Sequence, residues 1–276
     1  MGSIALSTPP PFVATKYRVS TITVTGAINS EINLERMFES ICDRMLDSIL
    51  YVEYGDKRHM HVNYVDTSKK PSRRRKNGSE KKPVTVKKRF DNQLTLVFTE
   101  NENKYNAKLF KNGNVQITGV KDAEKGREAV DFIIKATREA HVLSGDVLTH
   151  VDQLENINYR TRLINSDFKV NFEIRLDHLF TLMTSKYDII CSYEPCIYPG
   201  AKIEYYYPTG GRCLCEGFCN GKSEQCKKIT IAVFQSGCII ITGANCMDHV
   251  KVAYKFICDV LSDNVDAVYR RRLMCV

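Results

Sequence analysis

No stretch of this 276-residue chain approaches the ~18 consecutive apolar residues that a membrane-spanning helix requires, so no such span is expected. The opening MGSIALSTPPPF has neither the charged nor the apolar region of a secretory signal. Leu6 stands where N-myristoylation wants Ser or Thr. Signatures of common enzyme chemistry are missing too: no Walker loop, G-x-S-x-G elbow, H-E-x-x-H pair or dinucleotide fingerprint. The six histidines are scattered; His59 and His61 form an H-x-H pair that reads as a solvated strand face. Cys191 and Cys196, near Tyr187, have no histidine base beside them in sequence. No enzyme is expected. A composition of 43% hydrophobic and 26% charged residues excludes disordered, collagenous and coiled-coil classes, and the length fits one large or two small domains. Without an export signal, the eleven cysteines read as thiols or metal ligands rather than disulfides.

What charge there is sits in one place. Between Thr67 and Phe90 the chain reads TSKKPSRRRKNGSEKKPVTVKKRF, with eleven Lys and Arg against Glu80 alone. That segment is a net +10 in a chain of +8, so everything else amounts to −2. Low hydrophobicity with Pro, Ser and Gly makes 67–83 a solvated loop. It reads as a phosphate-contacting arm, a nuclear localisation signal or a plain solvated insertion.

The sequence also repeats itself. LFKNGNVQITGVKDAEKGREAVDFI from Leu109 aligns without gaps on VFQSGCIIITGANCMDHVKVAYKFI from Val233, at an offset of 124. Identical positions are Phe110/Phe234, Gly113/Gly237, Ile117/Ile241, Thr118/Thr242, Gly119/Gly243, Ala129/Ala253, Phe132/Phe256 and Ile133/Ile257. Upstream, Tyr17 onward aligns on Tyr159 onward at an offset of 142, matching Tyr17/Tyr159, Arg18/Arg160, Ile22/Ile164, Glu31/Glu173, Ile32/Ile174, Leu34/Leu176 and Phe38/Phe180. Two gapless blocks in the same order identify a tandem duplication.

Each copy reads as an alternating strand (17–27; 159–170), a helix (34–49; 176–185), three strands and a long closing helix (123–142; 247–272). The three strands fall at 93–99, 106–111 and 115–120 in copy one, and at 201–207, 229–235 and 238–243 in copy two. The division is a flexible tail to residue 15, repeat one over 16–143 with a basic insertion at about 50–88, a linker over 144–158, and repeat two over 159–276 with a Cys-rich insertion at about 208–228. Such units form an α+β architecture, an antiparallel sheet with helices on one face, and the uncovered face must be polar or bind something.

Copy two contains SYEPCIYPG (192–200) and ITIAVFQSGCIIITGA (229–244), and copy one contains LFKNGNVQITG. These resemble the core of the TATA-box-binding protein family, over most of 17–272, and the divergence resembles that of a relative from a large DNA virus or a distant eukaryote. The resemblance implies a saddle: two pseudosymmetric repeats in one curved antiparallel sheet, helices on the convex face and the minor groove of duplex DNA on the other. Aromatic wedges unstack base steps and bend the duplex, and the groove distinguishes little beyond A·T from G·C. It implies a promoter-binding transcription initiation factor, in the nucleus or a viral factory. The alternative is a protein-interaction scaffold of the same fold with weak or no sequence-specific DNA binding.

Carried over residue by residue, the family's wedge positions fall on Phe110 and Phe234, with Tyr198 as the second wedge of copy two. Phe90 is its counterpart in copy one, with Leu50 or Tyr51 as alternatives. Thr118 and Thr242 match the groove-facing threonines, Ile240 fits the apolar packing beside them, and Gln116 departs from it. The family's central asparagines are replaced by Thr21 and Leu163, with Asn165 two residues on. Glu204 stands at a usually basic position, and Asn114 and Cys238 replace basic residues. The family's site for a transcription-factor-B-like protein falls on Glu194, Cys196 and Ile197. Separately, CLCEGFCNGKSEQC supplies Cys213, Cys215, Cys219 and Cys226, the ligand number for a structural zinc, although the C-x-C-x3-C-x6-C spacing is unusual and free thiols fit it as well.

Overall fold

The computed structural model describes residues 4–6, 8–65, 92–152, 154–208, 226–271 and 273–275. Along the chain run β1 (Ile4–Leu6), β2 (Arg18–Ile28), α1 (Leu34–Asp43), β3 (Ile49–Tyr54), β4 (Lys57–Met60), β5 (Gln93–Glu100), β6 (Asn103–Phe110), β7 (Asn114–Val120) and α2 (Ala123–Ser144). The second repeat gives β8 (Asn156–Lys169), α3 (Leu176–Ser185), β9 (Cys191–Ser192), β10 (Gly200–Pro208), β11 (Cys226–Phe234), β12 (Cys238–Ala244), α4 (Met247–Asp263), α5 (Val265–Val268) and β13 (Leu273–Cys275).

The chain forms two compact units. One is Val24–Arg160, the N-repeat unit; the other joins Met1–Thr23 to Thr161–Val276, the C-repeat unit. In the N-repeat unit the strands lie in the order β4-β3-β5-β6-β7, followed by the end of β2. The C-repeat unit runs from the start of β2 through β8, β12, β11 and β10 to β9. The β3–β4, β3–β5, β5–β6, β6–β7, β8–β12, β12–β11, β11–β10 and β10–β9 pairs are antiparallel.

Strand residues alternate because one face alone is sealed by helices. In β6, Tyr105, Ala107 and Leu109 are buried while Asn106, Lys108 and Phe110 are half-exposed. In β8 the same alternation buries Ile164, Ser166 and Phe168. Helix α1 begins where the Asn33 side chain accepts from the Arg36 N–H at 3.2 Å, and it buries Leu34, Met37, Phe38 and Ile41. Asp122 caps α2 through the Lys125 N–H at 2.9 Å. The Phe132 ring of α2 stacks on Phe98 of β5 at 4.3 Å, and Phe256 of α4 meets Tyr205 of β10 at 4.9 Å, so matched aromatic pairs key both long helices to their sheets; α4 adds Tyr254 against Phe168 of β8 at 4.7 Å.

Several elements differ from the sequence reading. The first helix stops at Asp43 rather than near residue 49, because Ile49 is taken into β3 opposite Phe98 and buried there. Residues 49–54 and 57–60, expected inside the insertion, are therefore paired strands. The last helix breaks at Asn264, whose amide donates to Tyr187 Oη (2.8 Å) and the Val260 carbonyl (2.7 Å) while Lys186 Nζ donates to its oxygen (2.8 Å). Those bonds hold Asn264 out of helical geometry, and α5 is a separate turn. Residues at the end of the expected N-terminal tail are packed: Phe12 meets Phe172, Thr15 donates from its N–H to the Lys169 carbonyl, and Ala14 bridges to Val170.

The glycines identical between the repeats have backbone reasons. Gly113 and Gly237 turn from β6 to β7 and from β11 to β12 at φ +76° and +79°. A Cβ at Gly113 would lie 2.3 Å from the Ile28 carbonyl oxygen, and one at Gly237 would lie 2.5 Å from that of Phe172. Gly119 and Gly243, both at φ +92°, approach the Lys104 and Lys228 carbonyls in the same way. Gly55, at φ +60°, has open space around it. Gly237→Ala should therefore cost about 2–3 kcal/mol by urea unfolding, combining φ strain with the carbonyl clash, whereas Gly55→Ala should cost about 1 kcal/mol.

Candidate nucleic-acid interface

The helix-free face of the C-repeat unit is built from the alternate residues that the helices do not bury. Across it in register lie Asp167, Ile240, Ala232 and Lys202, and beside them Thr242, Thr230 and Glu204. On the N-repeat unit the equivalent row is Thr118, Asn106 and Val97, beside Gln116, Lys108 and Thr95.

The repeat gives a way to separate packing from function. Of the eight residue pairs identical at an offset of 124, Ile117/Ile241, Ala129/Ala253 and Ile133/Ile257 are all fully buried. The two glycine pairs are demanded by the backbone, and Phe132/Phe256 key a helix to its sheet. The remaining two pairs, Phe110/Phe234 and Thr118/Thr242, are half-exposed on the helix-free faces. No fold requirement accounts for them.

In the C-repeat unit Phe234 lies directly opposite Gly200. A Cβ at Gly200 would stand 3.0 Å from both the Phe234 and Tyr198 rings, so its bare Cα lets the two aromatics meet at 5.7 Å and 57°. Lys202 Nζ lies 4.1 Å from the Tyr198 ring centroid, a cation–π contact. The sequence-assigned pair is thus assembled in one place. Phe110 lies opposite Gln93, whose amide donates to Thr95 Oγ1 at 3.1 Å. Phe90 falls outside the described residues. Leu50 and Tyr51, its alternatives, lie within β3.

Thr242 Oγ1 meets Asn165 Oδ1 at 2.5 Å, joining β12 to β8, whereas Thr118 Oγ1 donates to the Asn106 carbonyl at 3.4 Å. Thr21, Leu163 and Gln116 are half-buried at the same strand parity as their neighbours on these faces, and Ile240 is 36% exposed. Glu204 is not a bare negative charge. Burial pushes its carboxyl up, but a 2.8 Å hydrogen bond from Tyr206 Oη and the 3.0 Å Lys228 ammonium outweigh that and hold it below the ordinary carboxylate range. Glu194, Cys196 and Ile197 share one exposed loop, turned by the Glu194 carbonyl accepting from the Ile197 and Tyr198 N–H groups at 2.9 Å each. Ile197 is 80% exposed.

Cys213, Cys215 and Cys219 fall outside the described residues; Cys226 opens β11 opposite Pro208. Among the described residues no three His, Cys, Asp or Glu side chains gather as a metal-holding group. Cys191 is a half-buried thiol, pushed up to about 12 by desolvation, which favours its protonated form at neutral pH.

Two features escaped the sequence reading. The β3–β4 hairpin puts Tyr51 opposite Val97 on the helix-free side, with the Arg58 guanidinium 4.1 Å from its centroid and the Tyr64 ring 5.8 Å away. Lys104 Nζ donates to Tyr64 Oη at 2.8 Å. The Gly55-Asp56 pair between alternating runs was the signal for this hairpin. The other feature is an ion pair, Arg18 Nε to Asp167 Oδ2 at 2.7 Å, joining β2 to β8.

Comparison with known proteins agrees with this architecture. The family model for "Transcription factor TFIID (or TATA-binding protein, TBP)" matches residues 158–264. A TATA-box-binding protein-like protein of Acanthamoeba polyphaga mimivirus is 29% identical over 254 residues, covering 89% of this chain and 65% of that protein. TATA-box-binding proteins 2 and 1 of Entamoeba histolytica are each 24% identical over 161 residues, 58% of this chain and 60% and 55% of theirs. The chain thus spans less than two thirds of the length of these curated relatives. The Methanococcus jannaschii TBP structure superposes with a TM-score of 0.50 at 19% identity, over 90% of this chain and 99% of that one. The fold is that of the TATA-binding proteins. The family's own model matches within the second repeat, over residues 158–264.

If Phe234 serves a ligand rather than the core, Phe234→Ala should cost about 1 kcal/mol of stability, whereas Ile241→Ala, one strand away on the sealed face, should cost about 3 kcal/mol. Urea titration of the two variants measures both.

Proposed function

We propose that this protein is a transcription initiation factor that binds duplex DNA in the minor groove with its helix-free sheet faces and bends it. The observation that carries this reading is the pair of matched positions, Phe110/Phe234 and Thr118/Thr242, which are repeated, half-exposed and unexplained by the fold. Phenylalanine rings at a sheet margin supply wedges that force adjacent base pairs apart, and the sheet gains contact area as the duplex bends. Threonine hydroxyls donate to the adenine N3 and thymine O2 acceptors that A·T pairs present in the minor groove. Tyr198 acts as the second wedge beside Phe234, its hydroxyl staying hydrated, while Ile240 packs on sugar and base edges. Leu163 and Thr21 make corresponding close contacts, and Asn165 positions Thr242. Phosphate affinity comes from the basic segment between residues 67 and 90 and from lysines such as Lys108.

The exposed Glu194–Ile197 loop receives a transcription-factor-B-like protein; Ile197 supplies an apolar anchor and Glu194 a charge at its rim. A structural zinc on Cys213, Cys215, Cys219 and Cys226 closes the connection between β10 and β11. Elemental analysis finding no zinc would remove that proposal alone.

A second reading, an interaction scaffold that has given up DNA, has one observation in its favour: two carboxylates, Asp167 and Glu204, lie on the face that would meet polyanionic DNA. A bend-sensitive fluorescence assay on duplex DNA at two salt concentrations separates the readings. Binding with bending is expected, and Phe110→Ala and Phe234→Ala should each weaken it at least tenfold. Unaltered binding in both variants rejects the wedge mechanism, and no duplex binding at all leaves the scaffold. Glu204→Lys should tighten binding at low salt and steepen the log affinity–log salt slope by about one.

A further inference from the structure

The two repeats are unequal where a minor groove would be read, and the inequality has a chemical direction. At an offset of 142, Asn165 and Asp167 of β8 correspond to Thr23 and Thr25 of β2. All four alternate with buried residues, so all four take the helix-free parity. The first repeat thus presents hydroxyls, which donate as well as accept. The second presents a carboxylate, which only accepts.

Minor-groove chemistry gives an acceptor one partner. A·T and T·A pairs show only acceptors there, adenine N3 and thymine O2, and a carboxylate facing them is repelled. A G·C pair adds a single donor, the guanine N2 amino group. We propose that Asp167 makes the C-repeat unit accept, and prefer, a guanine in the stretch of groove it faces, while the N-repeat unit reads A·T. This rests on the minor-groove reading above and gives the DNA site a polarity that the duplication by itself would not.

Three observations support the assignment. Asp167 lies directly opposite Ile240 in the β8–β12 register, two residues along the strands from the Asn165–Thr242 contact, so it belongs to the contact row rather than the margin. Its side chain is 30% exposed. Among the described residues Arg18 is its partner, through Oδ2 alone, and a carboxylate offers about four acceptor positions, so Oδ1 is left for a second donor. The Arg18 guanidinium at 2.7 Å also cancels the charge that would otherwise repel nearby phosphates. Glu204, the other carboxylate on this face, already has both oxygens engaged, by Tyr206 and Lys228, and is three strands further out.

Selection of duplexes from a random pool by the full chain and by Asp167→Thr, the residue type of the other repeat, tests this. The unaltered protein should enrich sites that are A·T-rich at one end and carry a fixed G·C pair at the other. Replacing that guanine by inosine, which lacks the N2 amino group, should weaken binding about tenfold, the discrimination of one good base contact. Asp167→Thr should enrich A·T at both ends and be indifferent to inosine. Enrichment of A·T throughout by the unaltered protein, or equal binding of guanine and inosine, overturns the inference and leaves minor-groove binding standing. Enrichment of no duplex at all overturns both.

Discussion

One-sided burial is the constraint on which the rest of this structure depends. An antiparallel strand sends alternate side chains to opposite faces, and here helices seal only one of them. Ile117, Ile241, Leu109 and Val233 are fully buried on the sealed side, so their strand neighbours have no choice of direction. Phe110, Thr118, Phe234 and Thr242 stand on the other face because a one-residue slip would expose the whole core row. The glycine turns hold this register: Gly113 and Gly237 close against carbonyls of the preceding repeat segments, and no other residue fits there.

Much of this was legible in the sequence. Alternation and turn signals located β2, β5, β7 and β12 to within a residue or two and β8 to within three, and the duplication showed that both repeats share one order of elements. Strand β3 was not legible, because α1 and β3 read as one apolar-rich run from Leu34 through Ile49; only tertiary pairing with Phe98 decides where the helix must end. The break at Asn264 was hidden for a similar reason, since its partners Tyr187 and Lys186 are far away in sequence. Of the candidate interface, Tyr198 beside Phe234 followed from family resemblance, whereas the Gly200 vacancy that lets them touch shows only in three dimensions. Ion pairs such as Arg18–Asp167 span strands 149 residues apart and leave no local trace.

The register also relates the basic segment to the second repeat. Phe234 lies opposite Gly200, and three residues beyond Gly200, Ile203 meets Cys191 of β9. Phe110 lies opposite Gln93, and three residues beyond Gln93, Leu96 meets Val52 of β3. Strand β3 is therefore the enlarged counterpart of β9. The connection from β3 to β5, which carries the β4 hairpin and the +10 run, stands where the second repeat has its short Glu194–Pro199 loop. The basic residues thus fall between β4 and β5, in the connection that corresponds to that loop.

That placement resolves an apparent conflict between charge and surface. A basic protein is expected to display its cations where nucleic acid lies, yet alongside lysines such as Lys108 and Lys202 the helix-free faces carry hydroxyls, amides, aromatics and carboxylates paired with their own cations. Long-range attraction to phosphates falls off over about 8–10 Å at physiological salt and needs no fixed geometry, so a loop supplies it as well as a sheet. Reading base edges does need fixed geometry, and that requires groups held rigidly on strands, either neutral or charge-compensated as Asp167 is by Arg18. Affinity and selectivity can therefore be altered separately in this fold. Under the proposed function, the cations between residues 67 and 90 would set how tightly a polyanion is held, and the unequal strands β2 and β8 would set which way round it is read.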